Sequence, residues 1–243
     1  MVQIINYSPN FEIKKRKPSK VIFIIFHYTG MKKENDAIKR LIDSKSKVSC
    51  HYFIKKNGQV IQMVPDLYIA WHAGISKWGK YKSLNRYSIG IEISNTGHRF
   101  NNESYSKKQI NSVIKLSKFL ITKYNIKEKN ILGHSDVAPE RKQDPGEKFP
   151  WKFLAKNKIG YWHNLSQNYL SKNRKVKIRE IDKKKFFQNL YQLGYLKISS
   201  DTKNKFNKLI IKAFQRRFRQ ELIDGIVDKE CLKISYSLIN KFT

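Results

Sequence analysis

The sequence predicts an α/β protein: a central mixed β-sheet flanked by helices, followed by a small C-terminal three-helix domain. Three features carry that prediction. Short runs rich in β-branched and aromatic residues interleave with segments of helical periodicity over residues 20–165. An Asn57-Gly58 pair lies between two such runs, the strongest local signal for a hairpin. Beyond residue 170 no strand pattern remains, and apolar residues recur at helical spacing instead.

Residues 21–28 (VIFIIFHY) are apolar on both faces, as a central strand should be. The basic KKRKPSK ahead of them resembles the start of an export signal. The apolar run is short, however, and ends at His27 with no small-residue cleavage site. The expectation is no export signal and no transmembrane segment, hence a cytoplasmic protein. Residues 34–44 place Ala37, Ile38, Leu41 and Ile42 on one helical face. HYFIKKNGQVIQMV is the hairpin, and AWHAGISKWGKYKSLN (70–85), aromatic and punctuated by glycine, is expected to be a long surface loop.

YSIGIEIS (87–94) alternates, with Ile89, Ile91 and Ile93 on one face and Ser88, Gly90, Glu92 and Ser94 on the other. Residues 106–124 repeat Ile110, Val113, Ile114, Leu116, Phe119 and Leu120 at helical intervals, behind Ser106 as N-cap and Gln109 three residues on. NIKEKNILGH closes with a short strand ending at His134.

These patterns divide the chain into a first domain at 1–170, a basic linker at 171–179 and a helical domain at 180–243. In the last, Phe186, Phe187, Leu190 and Leu193 form one face, stopped by Gly194. Leu209, Ile210, Ala213, Phe214 and Phe218 form a second, and a third short helix follows DGIVDKE. A bundle this small is marginal alone and suits an appended module.

The 243 residues are 40% apolar, with thirteen Tyr and fourteen Phe, which excludes wholesale disorder. The net charge of +31 attracts polyanions and anionic surfaces, whether nucleic acid, lipid or an acidic wall polymer. That charge is spread along the chain, as a drift toward A/T-rich codons would also leave it. No nucleic-acid-binding motif accompanies it, so no specific nucleic acid is expected. Cys50 and Cys231 lie far apart and make no disulfide framework.

The chemistry centres on His27, at the end of one strand, His134, at the end of another, and Asp144, in the proline-bounded GHSDVAPERKQDPGEKFP. Imidazole and carboxylate are good zinc ligands, and three protein ligands with one open position are the usual catalytic arrangement. Pro139 and Pro145 restrict the loop that carries Asp144. Spacing alone favours an ordinary polar loop, since no compact H-E-x-x-H motif is present.

FHYTG, CHYFIKKNGQVIQMVPDLYIAWHAG, YSIGIEISNTG and GHSDVAPERKQDPG stand in the order and spacing of a known family. They resemble the type 2 N-acetylmuramoyl-L-alanine amidases, relatives of the peptidoglycan recognition proteins, over residues 20–165. The resemblance implies the amidase fold of that group and one Zn2+ per chain held by His27, His134 and Asp144. It makes Glu92 the catalytic acid and Lys142 a cation for the oxyanion. The implied reaction cuts the amide between N-acetylmuramic acid, ordinary or 1,6-anhydro, and L-alanine of the stem peptide. The partner is then peptidoglycan or an anhydromuropeptide.

Trp71, His72 and Arg141 are candidate substrate contacts, with loop packing or structural hydrogen bonding as the alternative for the first two. His51, His98 and His163 are given no catalytic role. The rival reading is a non-catalytic muropeptide recognition protein, against which stands the filling of every ligand position and of Glu92. The tail, FFQNLYQLGY…IIKAFQRRFRQELIDGIVDKE, is similar to peptidoglycan-binding repeats, with a bundle that only packs as the alternative. A wall-binding module implies access to the sacculus, which makes the periplasm or cell envelope the alternative compartment. Oligomeric state and stem-peptide specificity leave no trace in the sequence.

Overall fold

Side-chain parity along the strands decides what covers each face of the sheet. The computed structural model describes residues 4–197 and 205–242. In chain order its elements are β1 (Ile4–Ile5), β2 (Phe11–Glu12), β3 (Phe23–Tyr28), α1 (Glu34–Ile42), β4 (Tyr52–Ile54), β5 (Val60–Gln62), β6 (Ile69–Ala70), β7 (Lys77–Trp78) and β8 (Tyr81–Lys82). Then come β9 (Ser88–Ile93), α2 (Lys107–Tyr124), β10 (Ile131–Gly133), α3 (His134–Val137), α4 (Trp151–Lys156), α5 (Gln167–Asn173), α6 (Glu180–Leu193), α7 (Lys205–Phe218) and α8 (Lys229–Ile239). The main sheet runs β1-β5-β4-β9-β3-β10. It is mixed: β3 lies parallel to β9 and β10, while β5 turns back antiparallel to β4 through the Asn57-Gly58 turn.

Ile24 and Phe26 of β3 point to one face, with Ile89, Ile91 and Ile93 of β9, and pack under Ile110, Val113, Leu116 and Leu120 of α2. That helix starts at Ser106 in the capping box with Gln109. The opposite face has two covers. Helix α1 lays Ala37 and Leu41 over Phe53, Ile61 and Met63. Phe23, Ile25 and Leu132 join one apolar cluster with Phe186, Leu190, Ile210, Phe214 and Leu238 of the C-terminal helices. His27 and Glu92 belong to this second face by parity, in the strip between the two covers.

Two expectations need correction. The segment 70–85 is not simply a surface loop: it contributes β6 and the β7–β8 hairpin, and it buries Ala73, Trp78 and Leu84 in the cluster shared with the tail. Trp78 meets Tyr195 edge-on at 4.7 Å, and the Gly79 N–H donates to the Gly194 carbonyl at 2.7 Å. Nor is 171–179 a free basic linker. Its first residues finish α5, and Arg174 holds Glu230 through two hydrogen bonds of 2.8 and 2.7 Å. The Lys175 N–H donates to Asp228 at 2.8 Å, and that of Lys229 to the Val176 carbonyl at 2.9 Å. Acids distant in sequence neutralise charges that, read locally, look solvated.

The basic stretch near the start behaves similarly. Arg16 is buried and donates to the carbonyls of Asp66 and Asn85. Among the described residues no helix is long and apolar enough to cross a membrane.

Candidate active site

Strand register assembles the site. Parallel pairing of β3 with β9 sets His27 beside Glu92. Pairing of β10 with β3 sets Gly133 beside Phe26, so the next residue, His134, opens α3 next to His27. The following loop folds back, and the Ser135 N–H fixes it by donating to the Asp144 carbonyl at 2.9 Å. The three side chains then converge. His27 Nδ1 lies 2.9 Å from His134 Nδ1, and Asp144 Oδ2 lies 3.0 and 2.9 Å from the two nitrogens. All three residues are buried.

The outer partners fix where the protons sit. Ser88 donates its hydroxyl proton to the Leu84 carbonyl at 2.6 Å, so its oxygen accepts from His72 Nε2–H at 3.1 Å. His72 Nδ1 therefore accepts from His27 Nε2–H at 3.0 Å. On the other side, His134 Nε2–H donates to the Ala73 carbonyl at 3.1 Å. Both Nδ1 atoms are left as bare lone pairs facing a carboxylate oxygen.

Burial, with His134 alongside, pushes His27 down to about 4, so it is neutral at pH 7. Burial alone would raise Asp144, but His134 and His27 outweigh it and hold the carboxyl below its usual range. With both rings in the tautomers that their outer partners favour, three lone pairs face one centre, an arrangement that a cation there would satisfy. Two imidazole nitrogens and one carboxylate oxygen, each oriented by an outer hydrogen bond, fit a zinc ion.

Gly90, in the middle of IGIE, has a specific cause. A Cβ there would stand 2.3 Å from the His72 ring, so only glycine lets that imidazole lie against β9. The Gly90 N–H donates to His51 Nδ1 at 2.9 Å, and His51 Nε2–H donates to the Tyr68 carbonyl at 3.1 Å.

Glu92 is the unsatisfied member. Its Oε2 is enclosed without a hydrogen-bond partner. Burial pushes the carboxyl well above its ordinary value, Asp144 adds to this, and Lys142 opposes it. Such a group can take up a proton at neutral pH. Glu92, Lys142, Trp71 and the three converging residues line one cavity of 540 Å³, walled on its far side by α1.

Two residues expected at the substrate have their polar groups engaged with the protein, although His72 lines the same cavity. Both nitrogens of His72 are hydrogen-bonded, one to His27 and one to Ser88, so it orients His27. Arg141 donates through Nη2 to the Ala73 carbonyl and through Nε to that of Ile75 at 3.2 Å, bracing the carbonyl that fixes His134. The sequence reading missed Ser88 and the Ala73 carbonyl. Ser88 shares the strand face of Glu92, a signal that was present; a backbone carbonyl leaves none.

The family model of the N-acetylmuramoyl-L-alanine amidases matches residues 17–147, more than half of the chain. This chain belongs to the type 2 N-acetylmuramoyl-L-alanine amidase family. Among similar amidases, AmiD of Escherichia coli K12 is 33% identical over 231 residues, covering 90% of this chain and 82% of AmiD. The solved complex of E. coli AmiD with the substrate anhydro-N-acetylmuramic acid-L-Ala-D-γ-Glu-L-Lys superposes with a TM-score of 0.80 at 31% identity, over 95% of this chain and 92% of that one. AmpDh3 of Pseudomonas aeruginosa, solved with anhydromuramic pentapeptide, gives 0.79 at 29% identity over 95% and 94%. At such coverage the likeness to both amidases extends into the C-terminal helices.

Proposed function

We propose that this chain is a zinc-dependent N-acetylmuramoyl-L-alanine amidase. It would cut the amide joining the lactyl group of N-acetylmuramic acid, ordinary or 1,6-anhydro, to L-alanine of the stem peptide. The meeting of His27 Nδ1, His134 Nδ1 and Asp144 Oδ2, beside the unpartnered Oε2 of Glu92, carries this reading. The likeness to AmiD and AmpDh3, each solved with an anhydromuramic peptide, supports the substrate class.

Zinc, when bound by these three residues, supplies a Lewis acid that polarises the carbonyl and makes water reactive near neutral pH. The chain's own residues do the rest. Glu92 takes the proton of the attacking water as the new C–O bond forms. It then delivers that proton to the alanine nitrogen as the C–N bond breaks, releasing a muramoyl carboxylate and a free peptide amino terminus. Lys142, on the same cavity wall, stabilises the negative oxygen of the tetrahedral intermediate. His72 and the Ala73 carbonyl hold the two imidazoles in the tautomers that present Nδ1.

Mass spectrometry of products from an anhydromuropeptide and from intact sacculi tests the reading. Release of the stem peptide by wild type is expected, along with a fall in kcat of roughly 10²–10⁴-fold in Glu92→Gln at unchanged zinc content. Undiminished cleavage after exhaustive chelation, or binding of muropeptide with no cleavage by the zinc-loaded protein, would overturn it.

A further inference from the structure

At its C-terminal end α7 carries Arg216 and Arg217, with Arg219 just beyond. Their exposures are 8%, 1% and 1%. A guanidinium so enclosed is costly unless its donors are matched. Arg217 is ion-paired: Nη1 donates to Asp136 at 2.7 Å and Nη2 to the Ile131 carbonyl at 2.8 Å, and only its Nε is enclosed without a partner. Arg219 is matched by Asp228 at 2.5 Å, Asp224 at 2.9 Å and the Leu222 carbonyl at 2.9 Å.

Arg216 differs. Among the described residues it makes no hydrogen bond, and its Nε is enclosed without a partner. The nearest carboxylate oxygen, Glu147 Oε2, stands 3.9 Å away and already accepts from His98 at 2.8 Å. The other oxygen of Glu147 accepts from Asn102 at 2.7 Å.

Arg216 forms part of the wall of a 370 Å³ groove between α7 and the loop that carries Asp144. Arg141, Lys142 and Lys212 share that wall with Glu140 and Glu147, so cations outnumber acids by four to two. Lys142 also lines the catalytic cavity, which makes groove and cavity neighbours. Carboxylates and phosphates both match a guanidinium fork, and of the two the acidic stem peptide supplies carboxylates.

We infer that this groove is an anion subsite, in which Arg216 receives a carboxylate of the acidic peptide portion of the substrate. The assignment of the ligand rests on the amidase reading above. It gives the C-terminal helices a direct part in substrate recognition, apart from any contact with polymeric wall. It also supplies the planar cation that Arg141, engaged with backbone carbonyls, does not freely offer.

Calorimetry on the full-length chain with the free tripeptide L-Ala-D-γ-Glu-L-Lys, and with the same peptide amidated at both carboxyls, tests the subsite without requiring turnover. Wild type should bind the acid roughly tenfold or more tighter than the diamide. Arg216→Gln should erase that preference. Lys212→Glu, at a half-buried position on the groove wall, should reduce it with an unchanged melting temperature, and decides the matter if Arg216→Gln folds poorly. Equal binding of acid and diamide by wild type, a preference surviving in folded Arg216→Gln, or wild-type selectivity in Lys212→Glu would overturn the inference. Selectivity abolished equally by millimolar inorganic phosphate would show a general anion site and overturn the peptide assignment. Cleavage of an anhydromuropeptide by the same wild-type preparation reports separately on the amidase reading, so either can fail alone.

Discussion

Two buried polar clusters, two residues apart in sequence, have opposite character. Around Asp136, every charge has its complement. Its Oδ2 accepts from Arg217 and from the Gly133 N–H, and its Oδ1 from the Tyr195 hydroxyl at 2.7 Å, while the Arg217 guanidinium stacks over Trp151 and Tyr161 at 4.5 and 4.8 Å. Around His134, two imidazole nitrogens and a carboxylate oxygen meet within 3.0 Å of one another. The ion-paired cluster locks the C-terminal helices to the turn that carries His134. The other is the candidate metal site. Pairing of opposite charges, and not burial alone, separates the structural cluster from the candidate binding site.

Replacing one member of each cluster should expose that difference. His134→Ala should lose stoichiometric zinc by elemental analysis and slow hydrolysis by more than about a thousandfold. The melting temperature of the metal-free protein should barely fall. Full zinc occupancy in that variant would remove His134 from the ligand set.

Arg217→Ala should do the reverse. Leaving Asp136 buried and unpaired costs about 3–5 kcal/mol, read as a lowered denaturant midpoint, while the folded fraction keeps its zinc. A loss below 1 kcal/mol by the same measure would mean that the tail is not held by this pair.

A smaller effect should follow from the relay behind the metal ligands. His72→Ala leaves His27 Nε2 without its acceptor and should weaken zinc affinity by about 10–100-fold in a competition titration. Unchanged affinity would show that the tautomer is set elsewhere.

A further effect is confined to acid. Burial, with Arg16 nearby, pushes His51 from 6.5 down to about 3. Above pH 6.5 both folded and unfolded chains hold it neutral, and its contribution to stability is complete. Below that, the unfolded chain takes up a proton that the folded one refuses until about pH 3, so stability declines across that window. His51→Gln should flatten the decline in denaturant midpoints between pH 6.5 and 4; parallel curves would assign it to other groups.

Much of this was legible in advance. The hairpin at Asn57-Gly58, the alternation of 87–94 and the capping box of α2 are short-range signals whose physics is local, and the structure reproduces all three. The fates of 70–85 and 171–179 were not legible. Trp78 reads as a loop residue until Tyr195 stacks on it, and Arg174 reads as a tether residue until Glu230, 56 positions away, pairs with it.

By itself the sequence determined the residue types of the site, the strands that carry them and the family to which the chain belongs. These depend on local periodicity and on motifs that survive without any partner. Only the tertiary structure decided which imidazole nitrogens keep their protons, which arginines are matched and which face of the sheet the tail completes. Each depends on atoms far apart along the chain, whose meeting no local pattern encodes.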